Sequence, residues 1–324
     1  METRKLIKFG KNSYVITLNS EWIRKNGLNK GDHVHIIEND NNLLIESQAS
    51  DKFKEGKVFK LNVQDKNRSD IKREIVTAYI NNVGTIEIFG GDLKDKAMMI
   101  KDILHNLVAL AVIEQDPNKI IAKDFLNMKE ISIVALVRKI DNIIKTMISD
   151  SKGKTSKATE ENINLRDNDV NRLHILTKRA IKHAFVSLET RQHFKMGALD
   201  LLRFWVIIEN LEEIADSVKR IARYFNSTNI PKTQEKDLLK IYDEIELFYN
   251  DLMKAFYNGD KNQALKTAPK KKEIMQKLID FDRKNWNVEY IPNIVEKLKY
   301  MTMAIQQVGR PVYEMENFVD IKEK

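Results

Sequence analysis

The sequence contains no cysteine, so it has no disulfide, no thiolate metal ligand and no thiol nucleophile. That absence suits a reducing cytoplasm, where we expect the protein to reside. Glycine and proline are scarce, 11 and 5 in 324 residues, and this lack of turn punctuation favours long helices. Long apolar runs are missing as well. The longest, LVALAVI from Leu107 to Ile113, is far too short to span a bilayer, and the opening METRKLIKFG has no apolar signal core. No membrane insertion is expected. There is also no G-x-S-x-G, H-E-x-x-H or P-loop pattern, so catalysis has no visible foothold and an enzyme is not expected.

What is present is a folding balance: 42% hydrophobic and 31% charged residues, in a chain long enough for two or three domains. The net charge of +8 is unevenly spread. Residues 1–30 carry seven Lys and Arg against two Glu, whereas residues 31–58 carry three Lys against six acids. The opening segment is therefore a candidate anion-facing surface.

Three regions follow from periodicity, with boundaries at 50 and 128. In residues 1–50, KLIKF and YVITL alternate as strands, SEWIRKN is a short helix entered at Asn19 or Ser20 and left at Gly27, and DHVHII and NLLIE are strands joined by ENDNN. An element of about 45 residues with apolar groups on both faces cannot build a core alone, so a second copy is expected to interlock with it. Residues 51–128 read as a small α/β connector: strand KVFKLNV, a helix SDIKREIVTAYI capped by Ser69 or Asp70, strand TIEIF, a helix from Leu93 to Glu114, and strand KIIAKDF. The GGD at Gly90–Asp92 reads as a strand-to-helix turn, since a phosphate loop would need a following Lys and Ser or Thr.

Residues 129–324 are expected to be helical throughout, with helices at Glu130–Ser149, Thr155–Leu188, Gly197–Phe225, Glu235–Tyr257, Asp260–Asp282 and Tyr290–Met315. NLEEIADSVKRIA from Asn210 and IVEKLKYMTMAIQ from Ile294 hold corresponding places with apolar positions in phase. We read this as a six-helix bundle of two three-helix repeats, about 129–228 and 233–318. Glu212 and Asp216, four residues apart on one helix face, repel unless a cation lies near; Arg220 is one such cation and a metal held by hard oxygen ligands is another. His33 and His35 lack a third ligand and are read as surface histidines.

Two family resemblances give these patterns a meaning. RKLIKFGKNSYVITLNSEWIRKNGLNKGDHVHI, with its GKNS turn, VITL strand, EWIRKNGL helix and KGDHV step into the next strand, resembles the swapped-hairpin DNA-binding domains of the AbrB/MazE/SpoVT type. That resemblance implies an intertwined homodimer on double-stranded DNA. It places basic contacts at Arg4, Lys5, Lys11 and Arg24, with Lys8, Ser13 and Lys25 beside them; Asn19 stands where that family usually has Pro. NLEEIADSVKRIARYF, preceded by RDNDVNRLHIL, resembles the PhoU family, whose E(D)xxxD motif binds iron or other cations. That resemblance implies a metal ion, whether iron, zinc or magnesium, at the first repeat, on Glu212, Asp216 and Asp169, with Asp167 close by. Asn171 replaces a usual Asp, and in the second repeat Glu296 is kept while Tyr300 replaces the Asp and Lys270, Lys271 and Lys272 fill an often acidic region, so the second site is expected to be lost.

Taken together, the resemblances imply a mainly α, multidomain architecture like that of archaeal PhoU-like phosphate-uptake regulators. The implied function is that of a dimeric transcriptional regulator of phosphate homeostasis. The alternative is a signalling adaptor for a phosphate transporter ATPase or a kinase, with the opening domain serving only to dimerise. An antitoxin, the third class, fits poorly with so large a helical C-terminal region.

Overall fold

Two short antiparallel hairpins and one short helix make up the start of the chain. In the computed structural model, which describes residues 3–39, 42–47 and 57–314, β1 (Ile7–Phe9) pairs with β2 (Ser13–Val15), and β3 (Val34–Asn39) with β4 (Asn42–Ser47). Between them lies α1 (Ser20–Lys25), entered at Asn19, whose side chain accepts from the Glu21 N–H at 2.7 Å. Asn19 thus caps the helix in the place where the resembled family has Pro. Gly27, at φ 65, follows the helix in the left-handed region that a non-glycine residue rarely adopts. The centre of the ENDNN turn, Asp40 and Asn41, lies outside the described residues.

Residues 1–57 form one compact unit and residues 58–324 a second. The second is predominantly helical and holds two hydrophobic cores. One core draws on buried residues between Leu61 and Ala122 and the other on buried residues between Met128 and Val312, both within this unit.

The first of these cores belongs to an α/β layer of β5 (Val58–Asn62), α2 (Arg68–Ile80), β6 (Thr85–Phe89), α3 (Leu93–His105), β7 (Leu110–Gln115) and β8 (Lys119–Asp124). Strand order is β5-β6-β8-β7, with β5 and β6 parallel and the other pairs antiparallel. Alternate residues Ile86 and Ile88 of β6, and Ile120 and Ala122 of β8, are buried with Ile71, Ile75, Ile100 and Leu104. Two expectations need correction. The cap of α2 is Asn67 rather than Ser69 or Asp70: its side chain accepts from the Asp70 N–H at 3.0 Å and donates to the Asp70 carboxylate at 2.7 Å. The helix expected to run to Glu114 stops at His105, because Asn106 caps it and Ala109 takes a left-handed φ of 61. The apolar run that follows carries Val112 and Ile113 into β7, where pairing with β8 overrides the helical period.

Among the described residues eight α-helices follow: α4 (Ile133–Asp150), α5 (Lys157–Val186), α6 (Leu188–His193), α7 (Ala198–Ser227), α8 (Lys232–Asn258), α9 (Lys261–Thr267), α10 (Lys270–Asn285) and α11 (Ile291–Glu314). The single helix expected over Asp260–Asp282 is broken before α10 by Pro269, which supplies no N–H to an ongoing helix. Helix α6 is an addition in a stretch read as a linker; Ser187 caps it by accepting from the Thr190 N–H. Met315, the expected end of the last helix, lies outside the described residues.

Helices α4, α5 and α7 pack together, as do α8, α10 and α11, and the broadest helix contact joins α7 to α11. Across the two sets, Phe204 of α7 meets Phe256 of α8 edge to face and Tyr224 stacks on Tyr290. A buried polar knot adds to this. Asp141 of α4, 1% exposed, accepts from the hydroxyls of Tyr249 (2.8 Å) and Tyr257 (3.0 Å) of α8 and from Lys145 Nζ (2.8 Å). The α/β layer is joined to the bundle by Arg179 of α5. This side chain is 2% exposed, pairs with both carboxylate oxygens of Asp124, donates from Nε to Asn82 Oδ1 at 3.0 Å and lies 4.2 Å from the Tyr79 ring centroid.

Candidate functional site

Two groups of residues carry functional expectations, one on the opening unit and one on the α5–α7 seam. On the opening unit, Arg4, Lys5, Lys8, Lys11, Ser13, Arg24 and Lys25 are all exposed. Arg4 and Lys5 precede β1, Lys11 lies in the turn after Gly10, and Arg24 and Lys25 end α1. The register places Lys8 opposite Tyr14 and Ser13 opposite Phe9. Cross-strand partners share a face and neighbours along a strand alternate, so Lys8 and Ser13 lie on opposite faces of the ribbon. Lys8 with Tyr14 is a cation beside a phenol hydroxyl, a combination suited to phosphate oxygens.

The apolar side chains of the same unit are as informative as its cations. Among its described residues no apolar side chain is buried, and Leu6, Phe9 and Leu43 are 67%, 70% and 68% exposed. Burial contributes about 25 cal/mol per Å2 of apolar surface, so strands arranged in this way have almost nothing of their own to hold them. His33 and His35 are exposed as well.

On the seam, helical spacing places Glu209, Glu212 and Asp216 of α7 near Asp167 and His174 of α5. Asp216 is already neutralised: Lys219 Nζ lies 3.0 Å from one oxygen and Arg220 Nε 2.6 Å from the other. Lys219 reaches across to Asp167 at 2.8 Å, and Asn171 donates to the same carboxylate at 3.2 Å. Burial acts to raise the Asp216 pKa, but Lys219 and Arg220 outweigh it and hold the carboxyl below its ordinary range. Asp169 points elsewhere; its side chain is 57% exposed and Arg172 is its partner at 3.7 Å. The structure therefore does not bring Asp169, Glu212 and Asp216 together. Among the described residues, no three His, Asp or Glu side chains are placed to hold a metal ion, and the donor set does not fit one. An ammonium, that of Lys219, stands between the carboxylates instead. Arg220 is the cation expected from spacing; Lys219 is not among the expected cations, although its place three residues beyond Asp216 is a usable signal.

Glu209 and Glu212, three residues apart, are held in opposite directions. Glu209 is drawn down to about 2, because hydrogen bonds from His174 (3.2 Å) and Lys178 (2.8 Å), with their charges, overcome its burial. Burial pushes Glu212 up; His174 opposes, while Glu213, Asp216 and Asp167 add to the rise. The signs follow from linkage. Glu209 contributes stability above the ordinary carboxyl range, and that contribution disappears as pH falls toward 2. Glu212 acts the other way: its charged form opposes folding once pH rises through its elevated pKa. We expect Glu212→Gln to raise the melting temperature at pH 7 and Glu209→Gln to lower it. Thermal melts from pH 3 to 8 check both, and a lower melting temperature for Glu212→Gln at pH 7 would contradict this assignment.

The second three-helix set carries no matching acidic pair. Glu296 is 52% exposed beside Lys297, whose ammonium lies 4.8 Å from the Tyr300 ring centroid, and Lys270 pairs with Asp251 at 2.7 Å. Among the described residues no helix is long and apolar enough to cross a membrane.

These features define a two-unit protein: a small cationic β-hairpin unit, then an α/β layer fused to a helical bundle of two three-helix sets. No protein family and no curated protein matches the chain in sequence. Among solved structures, the crystal structure of PhoU from Pseudomonas aeruginosa is similar at a TM-score of 0.42 and 12% identity, covering 56% of this chain and 90% of that chain.

Proposed function

We propose that the protein is a homodimeric, DNA-binding regulator of phosphate uptake whose opening units from two chains interlock to form one cationic platform. The observation that carries this reading is the combination, among the described residues of 3–47, of seven exposed candidate contact residues with no buried apolar side chain. A second copy covers the apolar strands and doubles the cations, and two-fold symmetry then presents paired surfaces to paired half-sites. The phosphate part of the reading rests on the resemblance of NLEEIADSVKRIARYF and its preceding helix to the PhoU family. Metal is not required for this reading, since Lys219 supplies the positive charge between Asp167 and Asp216.

Binding to a promoter duplex is expected to weaken steeply with salt, because each neutralised phosphate releases counterions. Arg4→Ala and Arg24→Ala should each lower affinity about tenfold or more and flatten the salt dependence by about one unit of slope per lost phosphate contact. Fluorescence anisotropy on promoter fragments obtained by genome-wide capture of protein-bound DNA and on random duplex, with sedimentation equilibrium on the same samples, tests both halves of the proposal. Equal affinity for promoter and random DNA would favour a signalling adaptor that uses the opening unit only to dimerise. A folded monomer with an ordered opening unit would remove the platform itself.

A further inference from the structure

A cleft of about 250 Å3 lies between α2 and α3 of the α/β layer and α5 of the bundle. Arg68, Lys72 and Arg172 line it against a single carboxylate, Asp102. Arg68 Nη2 holds Asp102 at 2.7 Å, which fixes the guanidinium and leaves most of its five N–H donors available. Among the described residues Lys72 has no hydrogen bond or ion pair, while Arg172 meets Asp169 at 3.7 Å through Nη1 and keeps its Nε buried without a partner. The floor is apolar, formed by Ile103 and Leu107 with Ile175 of α5. Asn168 and Asn171 add amides on the bundle side.

We infer that this cleft binds a small molecule through a phosphoryl group. Three cations converging on one opening suit an anion with several acceptor oxygens, and the guanidiniums can bind it bidentately. Apolar floor and side amides suit an organic body attached to the phosphoryl group, as in a mononucleotide, and the volume is near the lower end for small-molecule sites. The same cations also accept free phosphate. Either ligand would bridge α2 and α3 to α5, clamping the two cores of the second unit to each other. The inference goes beyond DNA binding and does not depend on it, since every lining residue belongs to residues 58–314.

The test is calorimetric titration of the full-length protein with inorganic phosphate, adenosine monophosphate and adenosine, with thermal melts in parallel. At least one phosphoryl probe is expected to bind once per chain and raise the melting temperature, whereas adenosine should bind far more weakly. Tighter binding of the monophosphate than of phosphate identifies a nucleotide-like ligand; equal or weaker binding identifies free phosphate. Lys72→Gln and Arg172→Gln should each weaken the bound probe about tenfold or more. Lys72 is exposed, so its variant keeps the fold, and the melt without ligand verifies this. The inference fails if neither phosphoryl probe binds, if adenosine binds as tightly as its phosphate, or if either substitution leaves affinity unchanged.

Discussion

Replacing Arg179 by methionine is expected to cost about 3–5 kcal/mol of folding stability, the loss that follows when one member of a buried ion pair is stranded. The Asp124 side chain, 14% exposed, would keep its charge without a counter-ion, and Asn82 Oδ1 would lose its donor. The aliphatic replacement retains some packing on Tyr79, so the loss reports mainly on the charge. Urea denaturation measures the cost. Amide exchange should further show α2 and β8 losing protection before the bundle helices, since Arg179 ties Asn82 and Asp124 of the α/β layer to α5. Asp124→Leu in the Arg179→Met background should recover part of the loss, because the pair removed together leaves no orphaned charge. A cost below about 1 kcal/mol would mean that this ion pair does not hold the layers together.

Asp141→Leu should be nearly as damaging, at about 2–5 kcal/mol, since it leaves two largely buried phenol hydroxyls and an ammonium without their acceptor. Tyr249→Phe removes a single donor and should cost about 1 kcal/mol. The knot also predicts an alkaline limb. Burial, reinforced by the Asp141 carboxylate, raises both Tyr249 and Tyr257 above the ordinary phenol range. Their neutral forms therefore stabilise the fold below about pH 10 and lose that contribution as pH rises further, because unfolded tyrosine ionises first. Unfolding followed from pH 8 to 12 should steepen above pH 10 in the parent and less so in Tyr249→Phe. An unchanged limb in the variant would contradict the assignment.

Much of the fold was legible in the sequence where the chain decides locally. The long helices follow a 3.6-residue apolar period, but two of them start later than expected: Ser132 caps α4, beyond the expected start at Glu130, and Ser156 caps α5, beyond the expected start at Thr155. The segment from Ala109 to Ile113 departs from its expected helix because its apolar residues fit either period, and only pairing with β8 decides between them. Pro269 marks its helix break in the sequence, but the apolar positions on either side suggest one continuous helix. Site geometry was less accessible. Which side chains meet across α5 and α7 depends on the relative rotation of the two helices, and one sequence does not report that angle. Asp167 rather than Asp169 therefore faces α7, and Lys219 occupies the gap. The phosphoryl cleft, assembled from three helices far apart in the chain, had no local signature at all.

The joint between α7 and α11 imposes unequal obligations on the two three-helix sets. Along it, any change of bulk in one set must be accommodated by the other, so neither can drift in shape without its counterpart. The outward-facing positions carry no such debt. Charge is free to differ away from that joint: Asp216 shares Lys219 with Asp167 of α5, while Glu296 and Tyr300 of the other set are half-exposed.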